Sequence, residues 1–285
     1  MTKVKMHDGN LIDVVIQGDG PTILLPVNPI PIEGEQAEEL RKWGVNPALG
    51  KSLIDGLSNK YRVIAFDYEG HVLSNPKPET LTPGNIANDF IAIADEVGAD
   101  EFAYYGYSWL ALCGLQLSIR TNRISALIMG GFPPINGPYK EMLQVTMATH
   151  EMSISNQGNG NPIEIPQITD DFDWSNVEVT MKEDETKQFV TLYQNLQEFN
   201  DREAQSKLNC PRLCFAGSVD RIDYGENWGN VHVDIVGPLI NQSQEIKDAG
   251  WDIQVLKELD HTGAMQAENV LSIIKPWLDE KFLEK

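Results

Sequence analysis

The chain has 285 residues, 41% of them apolar, enough to bury a full hydrophobic core as one α/β unit with an insertion or as two domains. Its 42 acidic against 22 basic residues give a net charge of -20, a field that repels phosphate backbones and anionic headgroups and so argues against nucleic-acid and membrane partners. The amino-terminal stretch MTKVKMHDGNLIDVVIQGDG lacks the apolar run of a signal peptide, and no later segment approaches about 18 uninterrupted apolar residues, so the chain reads as soluble and cytoplasmic.

Short β-rich runs alternate with amphipathic stretches, the pattern of an α/β fold with a mostly parallel central sheet flanked by helices. NLIDVVIQGDG (10 to 20) is a strand ending in a Gly-Asp-Gly turn, and TILLPV (22 to 27) is a buried strand running into the proline-rich loop NPIPIEG. A helical region around LGKSLIDGLS precedes the strand YRVIAFD (61 to 67). GNIANDFIAIADEVG (84 to 98) carries Ile86, Phe90, Ile91, Ile93 and Ala94 near helical spacing, with Gly98 as its stop. The strand EFAYYGY, the helix WLALCGLQLSIRT and the strand ISALIMGG (124 to 131) follow.

Between 134 and 206 the rhythm changes, from PPINGPYKEM through the polar SNQGNGNPIEIPQITDD to a helical pattern in DETKQFVTLYQNLQEF. This segment reads as a helical insertion, giving a core of residues 1–133 and 207–285 and an inserted unit of 134–206. Its GNGN run lacks the lysine, serine and strand context of a phosphate loop and reads as a plain loop. The alternation resumes at PRLCFAGSVD (211 to 220), then a helix near 238 to 249, the strand WDIQVLKEL (251 to 259) and the closing helix ENVLSIIKPWLDEKFL.

Three polar residues fall at the carboxyl ends of expected strands, where open α/β sheets hold their ligands. Ser108 follows FAYYGY, Asp220 closes LCFAGSVD, and His261 comes just after QVLKEL. Taken singly, they read as a helix cap, a turn former and a surface histidine. Taken together, their order of Ser, Asp, His is that of a nucleophile-elbow hydrolase. The chemistry needs all three: a serine hydroxyl is a weak nucleophile, an imidazole must take its proton, and a carboxylate must orient that imidazole. Backbone N–H groups must also meet the developing oxyanion. Trp109, at the first turn of the following helix, is one expected donor, and Asn28 is the other, because Pro29 and Pro31 have no N–H.

Of the other histidines, His71 in DYEGHVLS is expected in a turn with a supporting role, His150 in the insertion as a pocket residue, and His7 and His232 at the surface or in strands. The three cysteines form no even set, and Cys210 and Cys214 lack a second pair or a nearby histidine, so they read as buried free thiols. No metal and no cofactor is expected, and the one expected partner is a small-molecule substrate. Nothing in the composition assigns an oligomeric state.

With these motifs in view, the chain resembles the α/β-hydrolase superfamily over nearly its whole core. GDGPTILLP resembles the approach to the family's third strand, YRVIAFDYEGHVLS its D-x-R-G-H-G-x-S turn, YGYSWLA its elbow, FAGSVD its acid turn, and LDHTGAM its histidine loop. The insertion sits where many members carry a cap. The resemblance implies Ser108 as nucleophile, Asp220 as acid and His261 as base.

Three departures stand out. Pro26, Val27 and Asn28 replace the usual His-Gly after the third strand. Glu69 and Val72 replace the arginine and second glycine of the turn. Leu110 replaces the small residue that ends the elbow, where a strained backbone packs close to its neighbours. The expectation is that Gly114, Gly130 and Gly131 make room for its side chain.

The function expected from this reading is cofactor-free hydrolysis of a small, uncharged or weakly cationic ester, thioester or amide. Met142, Met147, Met152, Trp174, Phe189, Tyr193 and Phe199 of the insertion are candidates to roof an apolar pocket. Two rivals stay open: a slow-turnover binding or sensor protein, and a lyase using His261 as base.

Overall fold

The computed structural model of the protein describes residues 1–42, 44–156 and 181–283. The GNGN run and Trp174 lie outside the described residues. The chain opens with β1 (Thr2–Lys5), β2 (Leu11–Gln17) and β3 (Thr22–Leu25), then α1 (Glu35–Lys42), α2 (Leu49–Leu57), β4 (Arg62–Phe66), α3 (Tyr68–Ser74) and α4 (Pro83–Glu96). It continues through β5 (Phe102–Tyr107), α5 (Trp109–Ser118), β6 (Ile124–Gly130), α6 (Tyr139–Asn156), α7 (Glu183–Gln194), α8 (Asp201–Ala204) and β7 (Arg212–Gly217). The last part holds β8 (Arg221–Asp223), β9 (His232–Asp234), α9 (Val236–Asn241), α10 (Ser243–Asp248), β10 (Trp251–Leu256), α11 (His261–Met265) and α12 (Ala267–Leu283).

Eight strands make one sheet in the order β1-β2-β4-β3-β5-β6-β7-β10, and β8 and β9 form a separate antiparallel hairpin. β2 pairs antiparallel with both β1 and β4, and every pair from β4 to β10 is parallel. A parallel sheet must be covered on both faces, and the alternation along β5 meets that need. Phe102 and Tyr104 pack into the cluster of α4 and α5, while Ala103 and Tyr105 pack into that of α2 and α12. α5 is buried from Leu110 through Ser118; a helix with no polar face belongs between layers, directly under the strand ends.

The expected helix over 238 to 249 is two short ones, because Gln242 (φ -108°, ψ 22°) leaves the helical conformation between α9 and α10. His71, expected in a turn, lies in α3. The Asp67 carboxylate at the end of β4 accepts from the Gly70 N–H at 2.9 Å and caps this helix, which is why DYEGH has the composition of a turn. Among the described residues no helix is long and apolar enough to cross a membrane.

Candidate active site

β5 ends at Tyr107 and α5 begins at Trp109, so Ser108 alone makes the turn between them. Its φ is 55° and ψ -129°, and its hydroxyl makes no capping bond to the helix. An ordinary cap has extended angles and a side chain bonded to the second or third amide; the left-handed conformation instead costs a non-glycine residue about 1–3 kcal/mol. The turn is anchored by the Ser108 N–H, which donates to the Gly130 carbonyl at the end of β6 at 2.8 Å.

The tight approach that this turn demands falls at Gly106. A β-carbon there would overlap the Leu110 carbonyl, which also accepts the Tyr104 hydroxyl at 2.7 Å. The expectation for the Leu110 side chain is corrected accordingly. The space at Gly114 is faced by Tyr104 and Leu127, and that at Gly130 and Gly131 by Tyr107, Phe215 and His261. Leu110, 8% exposed, joins the apolar cluster of α4 and α5. What presses on a glycine is its backbone, so the residue type that follows Trp109 is free to be large.

Asp220 is fully buried, and His261 is the first residue of α11. The His261 Nδ1 lies 3.0 Å from each Asp220 carboxylate oxygen. The two loops that carry them are joined along their backbones. Ser218 N–H donates to Leu256 O at 2.7 Å, Val219 N–H to Leu259 O at 3.1 Å, and Glu258 N–H to Ser218 Oγ at 2.8 Å. Gly217 is required at this crossing, since a β-carbon would overlap the Leu259 carbonyl. With Nδ1–H donated to Asp220, the histidine tautomer leaves Nε2 as an acceptor.

Ser108 and His261 both border the end of β6. Ser108 is bonded to Gly130, and a β-carbon on Gly131 would stand 2.9 Å from His261 Cε1. Tyr107 links the two sides, its hydroxyl donating to the His261 carbonyl at 2.8 Å with ring centroids 5.0 Å apart.

Trp109 is the first residue of α5, so its N–H has no partner within the helix. In the loop after β3, the Val27 N–H is bonded to Leu25 O and the Ile30 N–H to Asn28 Oδ1. Prolines 26, 29 and 31 carry no N–H. Among the described residues, the Asn28 N–H is the amide of residues 26–31 left without an acceptor by this pattern.

The other candidates fall elsewhere. His7 bonds Asp89, His232 bonds Asp223, and His150 ties α6 to α7 through Thr186 Oγ1 at 3.0 Å. His71 has a buried, unpartnered Nε2, and burial, helped by the Lys77 charge, lowers its pKa. Cys113 and Cys214 are buried and Cys210 is half-buried, all three as free thiols. Of the expected roof residues, Phe189 meets Trp109 edge-on at 5.4 Å. Met147 is 42% exposed, Tyr193 is buried, and Phe199 packs on Tyr139. Met142 and Met152 pack, half-buried, against the core. Two neighbours of the turn had no motif to single them out as site residues, Tyr107 and Glu69; the latter accepts from Trp109 Nε1 at 2.9 Å.

No protein-family model and no curated protein sequence matches the chain. Solved structures do. The chain is similar, at 14% identity and a TM-score of 0.63, to carboxylesterase from the thaumarchaeon Nitrososphaera gargenis, with 100% of both chains covered. It is also similar to an epoxide hydrolase from Vigna radiata (15% identity, TM-score 0.62, 98% of this chain and 97% of that one). A thermophilic esterase from Thermogutta terrifontis matches at 16% identity and a TM-score of 0.58, over 99% of this chain and 98% of that one. The chain has the α/β-hydrolase fold.

Proposed function

We propose that the protein is a serine acyl hydrolase for a small, uncharged or weakly cationic ester, thioester or amide, with residues 134–206 as a cap over the core of 1–133 and 207–285. The observation that carries this reading is the left-handed Ser108 between β5 and α5, beside the same β6 end as the Asp220–His261 pair. In the proposed cycle His261 Nε2 takes the hydroxyl proton while Ser108 Oγ bonds to the substrate carbonyl carbon. The C=O electron pair moves onto oxygen, where the N–H groups of Trp109 and Asn28 receive it, each such donor being worth about 3 kcal/mol. When the carbonyl re-forms, the bond to the leaving group breaks and the imidazolium gives that group its proton. A water deprotonated by His261 then attacks the acyl carbon, the bond from that carbon to Ser108 Oγ breaks, and the imidazolium returns its proton to Oγ, releasing the carboxylic acid and restoring Ser108. Asp220 holds the imidazole in the required tautomer throughout.

The serine favours this chemistry over the epoxide opening named for the Vigna radiata neighbour. Attack on an epoxide carbon would leave a serine ether, which water does not cleave, whereas an acyl-serine is an ester. A fluorophosphonate probe tests the reading. It is expected to label Ser108, and Ser108→Ala is expected to abolish labelling with an unchanged circular dichroism spectrum. An unlabelled parent protein would refute the hydrolase in favour of a binding or sensor protein. Turnover with no acyl group trappable on Ser108 would favour a lyase.

A further inference from the structure

Glu69 occupies a position of unusual chemistry. It is accessible to solvent, yet surrounding protein strips enough water from it to raise its pKa, with the Asp67 charge acting the same way and the Trp109 bond opposing. Its carboxylate is held by Trp109 Nε1, and Trp109 directly follows Ser108, so Glu69 lies one tryptophan side chain away from the reacting serine. Among the described residues no lysine, arginine or histidine pairs with it. The Trp109 ring that holds it is itself packed between aromatics, 6.3 Å from the buried Tyr68 and edge-on to Phe189 of α7 at 5.4 Å.

An anionic carboxylate left without a cation beside an aromatic ring is the chemistry that receives an ammonium group, by charge and by the ring quadrupole. We propose that Glu69 is a substrate-recognition residue, and that the site selects esters or amides bearing a cationic ammonium group over their neutral isosteres. This rests on the acyl-hydrolase reading and chooses the cationic arm of its substrate class. The net charge of -20 draws such substrates in, although beyond about 8 Å physiological salt screens it, so selection falls to the local carboxylate.

The test compares 2-(trimethylammonio)ethyl acetate with its carbon isostere 3,3-dimethylbutyl acetate, which has the same shape and no charge. The parent protein is expected to favour the cation about tenfold in kcat/KM, the yield of a contact worth about 1.4 kcal/mol. Glu69→Gln retains an acceptor for Trp109 Nε1 and is expected to remove most of that ratio. A ratio near one in the parent, or one unchanged in Glu69→Gln, overturns the proposal while Ser108-dependent hydrolysis leaves the acyl-hydrolase reading standing. Calorimetric titration of Ser108→Ala and Ser108→Ala/Glu69→Gln with the cationic ester reads recognition without turnover. Glu69-dependent binding there, with no hydrolysis by the parent, would keep Glu69 as an ammonium receptor and sink the hydrolase; equal or absent binding in both variants sinks the Glu69 proposal.

Discussion

At the scale of single residues, the turn at Ser108 depends on what its neighbours lack or supply. Gly106 is held against the Leu110 carbonyl with no space for a β-carbon, and the obstacle is backbone that cannot rotate aside. Gly106→Ala is therefore expected to destabilise the protein by about 2–4 kcal/mol, as overpacking against a rigid wall does, read as a lowered urea midpoint. Asp220 makes a separable contribution, since Asp220→Asn preserves volume and burial while presenting the wrong hydrogen-bonding group to His261 Nδ1. The expected result is a loss of about 10³- to 10⁴-fold in kcat with little change in the melting transition. Ser108, Asp220, His261, Trp109 and Asn28 were all legible as candidates because turn chemistry, chain order and missing N–H groups are written locally. Glu69 and Tyr107 were not, since their partners, Trp109 and His261, lie 40 and 154 positions away.

At the scale of elements, strands with strong β-branched and aromatic content were readable, and so were the helices α2, α4, α5, α7 and α12. β1 was not: TKVK is short and polar, and becomes a strand by pairing with β2 in the register Thr2 to Val14. Nor was α6, whose scattered apolar residues make sense only once α7 lies along it. The turn between β1 and β2 is clipped to the helices by charge. Lys77, almost fully buried, reaches both Asp8 and Asp89 at 2.7 Å, and Tyr68 donates to Asp89 at 2.8 Å. Burial works against the Asp8 carboxylate, but the bonds from Lys77 and Asn10 prevail and bring its pKa down to about 2 from 3.8. A depressed folded pKa stabilises above the unfolded value and loses that contribution as pH falls through the folded one. Titrating from pH about 4.5 to about 2 should lower the urea midpoint of the parent more than that of Asp8→Asn, the difference opening below about 3.8.

α7 is bound to the same region by one side chain. Gln188 Oε1 accepts from the Lys77 N–H at 3.0 Å, and its Nε2 donates to the Val72 carbonyl of α3 at 3.0 Å. Gln188→Ala leaves both backbone groups buried without these partners, at a cost of about 1–3 kcal/mol for each group stranded. Because α7 also carries Phe189, the variant should raise KM for bulky esters more than it lowers kcat. Glu69→Gln, by contrast, is expected to act on charge rather than bulk, losing most of the preference for the cationic ester.

At the scale of the whole molecule, the eight-stranded sheet brings together at the ends of β5, β6, β7 and β10 residues that the chain keeps far apart. The Tyr107 hydroxyl, on the residue before Ser108, closes one such circuit by bonding the His261 carbonyl across 154 positions. Everything from α5 to β10 lies inside that circuit. The bond is therefore expected to make the serine turn and the histidine loop one cooperative unit for opening. In hydrogen–deuterium exchange, the amides of Ser108 and Val219 should show matching protection in the parent, while Tyr107→Phe should let Val219 exchange faster than Ser108. On this reading a phenol sets the rhythm of the site, so that the proposed base and nucleophile are expected to open together.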